Sequence, residues 1–450
     1  MLFFKSIIMI QKLSFYLSVI LFSMSINAQQ VDLLYQWADT NLPPSFAHNN
    51  TYNEVWGFEQ NGREYGVIGS TMGTHFFDVT DKNNITPVDF VPGKAQGGQI
   101  IHRDFHDYNG YLYMVSDEGA SSLQIADLSY LPDSVSVVYD SDQLLVRSHN
   151  IFIDSLNAKL YVCSGDIYVY SLANPINPTY FTTIDLPSHA HDLYVRDDTA
   201  YVNGGPDGLF IYDASVPNPQ PLNTLSVYPQ KGYNHSGWLT DDGDTYIFAD
   251  ETHGKQMKVL DVSDINNLTI RGTFMTMTDP NSIPHNQIIK GNFIYVAQYF
   301  DGFYMYDISD PDNVVEVGNY DTSTQPVNPS KYEGAWGIFP FLKDGKVLVS
   351  DMQNGFYVFD VSSIVTSQEE IVNDKKFAIY PNPTTGILNI KFTKEQTHQI
   401  DIIDCQGKNV YQQTVVKNNL KIDLDILPKG IYLVKVSANN ETSIQKIILY

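Results

Sequence analysis

Seven times between residues 54 and 333, at intervals of roughly forty to fifty residues, the chain restarts one pattern. A hydrophobic segment opens on Glu54, His106, His149, His191, His235, His285 or Glu333. A tight polar turn follows, then a second strand, a Gly/Asp-rich loop and a third strand ending near Asp. Self-similarity at this period marks a repeat architecture, in which no unit buries its faces alone and each needs neighbours. Turns at Asn61-Gly62, Asn109-Gly110, Asp242-Gly243, Lys290-Gly291 and Asp344-Gly345 carry the residues that hairpins need for positive φ. The third strands end on Asp78, Asp127, Ser171, Asp213, Asp261, Asp307 and Asp360. Because Ser171 replaces Asp in the third unit, that Asp reads as a turn-former.

Seven units of four short strands predict an all-β fold, a seven-bladed β-propeller. The seventh unit ends at its third strand near Val361, while Val31–Trp37 supplies a strand before the first unit. That N-terminal strand is expected to complete the last blade and close the ring. The 30 tyrosines and 24 phenylalanines, with little helical periodicity, agree with an all-β chain.

The expected domain order is a signal peptide at 1–28, the propeller at 29–363, a linker at 364–376 and a small β-sandwich at 377–450. Lys5 and Lys12 precede an apolar run, and Ala28 offers a small residue before cleavage. With 27 basic against 51 acidic residues the chain lacks the basic footprint of a nucleic-acid partner. Cys163 and Cys405 lie in different segments, which argues against a disulfide framework. A monomer is expected.

Two resemblances follow from motifs. Gly302-Phe303-Tyr304-Met305-Tyr306-Asp307-Ile308-Ser309-Asp310-Pro311, and the related run from Gly355 to Ser362, resemble the LVIVD repeat. With His at blade starts, the ordering is similar to the choice-of-anchor B group of secreted repeat proteins, over roughly residues 30–365. This resemblance implies a propeller with an extracellular address and brings no established reaction. In the tail, Tyr380-Pro381-Asn382-Pro383-Thr384-Thr385-Gly386, Asp404-Cys405-Gln406-Gly407 and Leu427-Pro428-Lys429-Gly430-Ile431-Tyr432 resemble the C-terminal sorting domain of type IX secretion substrates. That implies export across an outer membrane, with the type IX machinery as partner and release or surface attachment as the end point.

Function is read from the histidines. Ten of the 11 cluster at inner-strand starts or neighbouring loops, on what a propeller makes one face, and only His398 lies in the tail. Imidazole with carboxylate is the donor set of divalent transition metals. His106, His149, His191, His235, His285, Glu54 and Glu333 are the candidate metal ligands. Asp250, Glu251, His253, Tyr299 and Phe300 are candidate ligand contacts at the mouth. Trp56, Trp238, Trp336 and Tyr233 share that expected position. His-Asp and His-Asn neighbours are expected to point to opposite faces of a strand. Three readings stay open: blade fasteners that hydrogen-bond adjacent strands, a metal or ligand site in a binding or scaffold protein, and a metal-dependent extracellular hydrolase or lyase. No H-E-x-x-H, G-x-S-x-G or P-loop motif assigns catalytic residues.

Overall fold

The computed structural model describes residues 29–450, apart from 276–278, 280, 324–325, 329, 367–376, 381, 383, 393–395, 405–407, 439–440 and 450. The expected signal peptide, most of the expected linker, Pro381, Pro383 and Cys405 therefore lie outside the described residues. The chain forms two compact units, one of residues up to 342 with 347–359, the other of 343–346 with 360–450.

The first unit is all-β and propeller-like. Its first sheet runs Tyr52–Gln60, Arg63–Ser70, Gly73–Asp78 and Thr86–Pro92 in chain order, each strand antiparallel to the next. Five more sheets repeat that order, with first strands Arg103–Tyr108, Asn150–Asp154, Asp192–Arg196, Asn234–Leu239 and Ile283–Lys290. A last sheet holds Ala335–Phe339, Lys346–Asp351 and Gly355–Asp360, with Asp32–Trp37 at its outer edge. Gln29–Gln30 pairs in parallel with Val315–Tyr320 of the sheet before it. The described residues contain no sheet that closes on itself. The first strands instead lie side by side in succession, and that of the last sheet lies against Tyr52–Gln60.

Local chemistry explains the unit. Asn61-Gly62 and Asn109-Gly110 take φ of 53° and 74°, and 50° and 83°, which matches the right-handed twist of a two-residue hairpin. The terminal aspartates are indeed turn-formers. Asp78, Asp127, Asp213, Asp261, Asp307 and Asp360 each accept the N–H two residues on, at 2.8–3.0 Å. Ser171 does the same more weakly through its hydroxyl, at 3.3 Å. Between neighbouring sheets lies one apolar cluster apiece. The first and last sheets share Val55, Ile68 and Phe77 with Phe339, Leu348 and Phe356, joined by Leu34, Tyr35 and Trp37 of the edge strand.

In the second unit, Phe377–Tyr380, Ile387–Phe392 and Asn419–Asp423 form one sheet; Asn409–Val416, Thr397–Asp404, Gly430–Ala438 and Glu441–Leu449 form another. Both contribute to one core, with Leu388, Ile390, Ile400, Ile402, Val434 and Ile447 at its centre.

Candidate metal centre

The openings of the first strands converge. Ring centroids of His102 and His149 are 4.7 Å apart, His149 and His191 4.2 Å, His191 and His235 4.2 Å, and His235 and His285 4.3 Å. Trp336 completes the circuit, 4.6 Å from His285 and 5.1 Å from His102. Five imidazoles and one indole thus form a closed ring, drawn from six of the seven sheets.

Irregular strand openings aim these side chains. Register shifts fall between Tyr52 and Val55, Asn234 and Ser236, Pro284 and Gln287, and Ala335 and Ile338. The His149 and His191 N–H groups donate to Cys163 and Asn203, which also pair with Asn150 and Asp192. An extra residue at a bulge turns two consecutive side chains the same way. So His149 and Asn150, His191 and Asp192, and His285 and Asn286 line one cavity. The strict alternation expected from the sequence is corrected here, because it holds only for regular strands.

Hydrogen bonds fix every tautomer in the ring. Backbone carbonyls only accept, so His191 Nδ1 donates to His235 O (3.1 Å) and His285 Nδ1 to Trp336 O (2.6 Å). Ser236 gives its proton to His285 O at 2.7 Å, so its Oγ accepts from His235 Nδ1 at 3.1 Å. His149 Nδ1 meets Asp117 at 2.9 Å and His102 Nδ1 meets Glu118 at 2.5 Å. None of the five Nε2 atoms has a hydrogen-bond partner among the described residues. Such outward bonding of one nitrogen orients metal-binding histidines and leaves the other lone pair available.

Electrostatics keep most of the ring neutral. Burial first, then repulsion from neighbouring imidazoles, holds His191 and His235 well below the ordinary imidazole range. Burial brings His285 to about 3 and lowers His102. Burial acts on His149 too, but the hydrogen bond and charge of Asp117 outweigh it and raise its pKa.

A carboxylate joins from the mouth side. Ligand atoms of His191, His235 and Glu251 all lie within 4.8 Å of one another, as do those of His102, Asp117 and His149. The first trio is the better donor set, since Asp117 already orients His149. Glu251 accepts from Tyr299 OH at 3.1 Å, and its other oxygen is 3.7 Å from His235 Nε2. Burial raises Glu251 to about 7, against the opposing pull of Tyr299 and His149. Two histidines and a carboxylate with open positions suit zinc or a non-haem transition metal. Above this trio a cavity of about 390 Å³ is walled by His48, Tyr233, Tyr299, Tyr332 and Trp336. Another of about 510 Å³ adjoins Asp117, Arg147, His149 and His189.

Among the residues singled out from sequence, His149, His191, His235 and His285 are in the ring and Glu251 and Tyr299 adjoin it. Four placements are corrected, those of His106, Glu333, Asp250 and Phe300. His106 is not in the ring; it stacks on Trp56 at 4.5 Å, because sheet two opens regularly and places His102 two strand repeats, roughly 13 Å, above it. Glu333 is bonded to Lys331 at 2.8 Å, and Trp336 fills the slot expected for it. Asp250 is fully buried and bonded to Lys258 at 2.8 Å, Tyr228 and Gly232. His253 is held at the rim on Asn281 O at 2.9 Å. Phe300, only 2% exposed, packs with Ile283, Trp336 and Met352. Glu54 lies below the ring, facing the same cavity. Trp56 and Trp238 line the deeper end with Phe152, away from the mouth. His75 bonds Ser70 within its own sheet. His102 and Trp336 were passed over as ring members, although the i, i+4 spacing of His102 and His106 signals two positions on one strand face.

Fold and tail define the chain first as a secreted, all-β, propeller-like protein. More particularly, the LVIVD repeat family matches residues 287–322 and the secretion system C-terminal sorting domain matches residues 378–450. The sorting domain marks the chain for export through the type IX system to the cell surface or beyond. The fold is similar to the crystal structure of a protein from Lactobacillus plantarum, at 12% identity and TM-score 0.50, over 83% of this chain and 100% of that one. PorZ, a surface component of the type IX secretion system of Porphyromonas gingivalis, is similar at 12% identity and TM-score 0.47, over 90% of this chain and 61% of that one. No curated protein matches the sequence.

Proposed function

We propose that this chain is a seven-bladed propeller of the choice-of-anchor B type, closed by Asp32–Trp37, which binds a divalent transition metal and presents it to an extracellular ligand. In this reading residues 1–28 are removed on export, 29–363 form the propeller, and 364–376 link it to the sorting domain at 377–450, through which the secretion machinery engages. His191, His235 and Glu251 hold the ion, with His285 and His149 as neighbouring donors. One observation carries the reading: each ring histidine commits its Nδ1 to a hydrogen bond, and ligand atoms of His191, His235 and Glu251 all lie within 4.8 Å of one another. The Nδ1 bonds alone would serve to fasten blades; the Glu251 carboxylate beside His191 and His235 is what favours an ion. An ion held by these residues would supply Lewis-acid polarisation to an oxygen in the mouth cavity. Tyr299 orients Glu251 through their 3.1 Å hydrogen bond, and Tyr233, Tyr299, Tyr332 and Trp336 wall the mouth cavity.

Titrating Co²⁺ into the chelator-treated protein tests this. A visible band of nitrogen-ligated, low-coordinate Co²⁺ saturating at one equivalent is expected, and its absence in His191→Ala as well as in the parent refutes the proposal. A second reading, a metal-dependent hydrolase or lyase, is favoured by the place of Glu251 on the mouth cavity beside His235, where its carboxylate serves as general base instead of ligand. It requires turnover of an ester or polymer that Glu251→Gln abolishes while metal is retained.

A further inference from the structure

At the deeper end, away from the histidine ring, a second circuit of side chains closes. Ring centroids run from Phe339 to Trp56 at 4.8 Å, Trp56 to His106 at 4.5 Å and His106 to Phe152 at 5.4 Å. They continue from Phe152 to Trp238 at 6.2 Å, Trp238 to Phe341 at 5.9 Å and back to Phe339 at 5.5 Å. Trp56, His106, Phe152 and Trp238 of this circuit line a cavity of about 60 Å³. We propose that the circuit and its cavity bind the terminal unit of a neutral carbohydrate, at a site that is separate from the metal centre and does not depend on it.

The rings are held in place without being fully covered. Trp56 Nε1 donates to Asp107 at 2.9 Å, which fixes that indole. Trp56, Phe152 and Trp238 are half-buried, and Phe341 is 42% exposed. An indole face is partly negative, so it attracts the partly positive C–H face of a pyranose. Aromatic walls with a few placed polar groups are the usual make-up of a small-molecule site.

Unmet polar atoms in the same cavity point to an occupant. Gln287 is 3% exposed, and its Nε2 is buried with no partner, while its Oε1 lies 3.3 Å from Ser236 Oγ. His106 is 9% exposed and donates from Nδ1 to Asp107 O at 3.0 Å, so its Nε2 carries a lone pair. That Nε2 has no hydrogen-bond partner among the described residues. Asn150 Oδ1 is likewise buried and unpartnered, and all three residues line the cavity. Buried polar groups are nearly always satisfied, so an unmet donor beside unmet acceptors implies an occupant that both gives and takes hydrogen bonds. Water does this but makes no use of the aromatic faces; the edge of a sugar uses both. About 60 Å³ holds roughly four water-sized species, which is room for a hydroxymethyl group and a neighbouring hydroxyl while the pyranose stands among the aromatic rings. No lysine or arginine lines the cavity, whereas Glu54, Asp104 and Asp192 do, so acceptors for hydroxyls are present and anionic sugars are repelled.

The test is saturation-transfer NMR on the full protein with the methyl glycosides of glucose, mannose and galactose and with the matching uronates. Transfer to at least one neutral glycoside is expected, strongest at the protons of one ring face, with the uronates bound at least tenfold more weakly. Affinity for that glycoside should fall at least tenfold in Trp238→Ala and stay within threefold after chelator treatment. If Trp238→Ala fails to fold, Gln287→Met replaces it, with a several-fold loss expected. No transfer to any neutral glycoside, or an unchanged affinity in the folded variant, overturns the proposal. Equal binding of the uronates, or loss of binding on chelation, places the ligand elsewhere and overturns it as well.

Discussion

Lys258 and Asp250 are both 0% exposed, and their charged groups meet at 2.8 Å inside the fifth sheet. Asp250 also accepts from Tyr228 OH at 2.9 Å and Gly232 N–H at 2.7 Å, so it ties the approach loop of one strand to the end of the next. Glu251, the next residue, is thereby aimed toward the mouth. Lys258→Met keeps the volume of the side chain and removes only the charge, leaving a buried carboxylate uncompensated. Removing one partner of such a pair costs about 3–5 kcal/mol. For a unit of this size that lowers the melting temperature by roughly 6–10 °C, at about 2 °C per kcal/mol. Adding Asp250→Asn removes the stranded charge, so the double variant should recover at least about 1–2 kcal/mol of the loss. Urea unfolding of the four proteins of this cycle supplies the assay. A loss below about 1 kcal/mol for Lys258→Met, or a double variant weaker than the single by the full cost of both, would refute the reasoning.

Two other outcomes follow from packing and charge. Burial, the dominant influence, lowers the His75 pKa to about 4, so the fold prefers the neutral ring. Its contribution is therefore complete above the unfolded value near 6.5 and declines as pH falls toward 4, at up to about 1.4 kcal/mol per pH unit. His75→Phe should flatten that limb of a stability–pH curve; an unchanged slope between pH 6 and 4.5 excludes His75 as its source. Trp37, from the N-terminal edge strand, packs on Phe77 at 5.1 Å and Tyr52 at 5.7 Å. Trp37→Ala should cost about 2 kcal/mol or more, as a partly buried aromatic deletion does, and a cost under about 0.5 kcal/mol argues against ring closure by this strand.

The strands were legible because period-two patterning and Asn-Gly turns act locally. The terminal aspartates were legible for the same reason, and Ser171 identified their task before any contact was known. Four ring histidines could be placed from their position at strand openings. The slot slipped at sheets two and seven, where His102 and Trp336 stand four residues before His106 and three after Glu333. Register at a strand opening depends on whether a bulge is present, and bulges arise from pairing with a partner strand rather than from local sequence. The same dependence brings Asp192 and Asn286 to the cavity that His191 and His285 line, because those strands open irregularly. Asp250 and Glu251 show a further limit. Adjacent acids at a strand end look alike in sequence, and only the distant Lys258 decides which of them is consumed in the core.

The metal centre itself is tested most directly by elemental analysis of the purified full chain beside His191→Ala/His235→Ala, both after reconstitution with zinc, manganese, iron and nickel. One equivalent of a transition metal in the parent and less than about a tenth in the folded variant is the predicted result, since two of three principal donors are gone. No bound metal in either protein would contradict the account and leave the five histidines as contacts for an organic ligand or for one another.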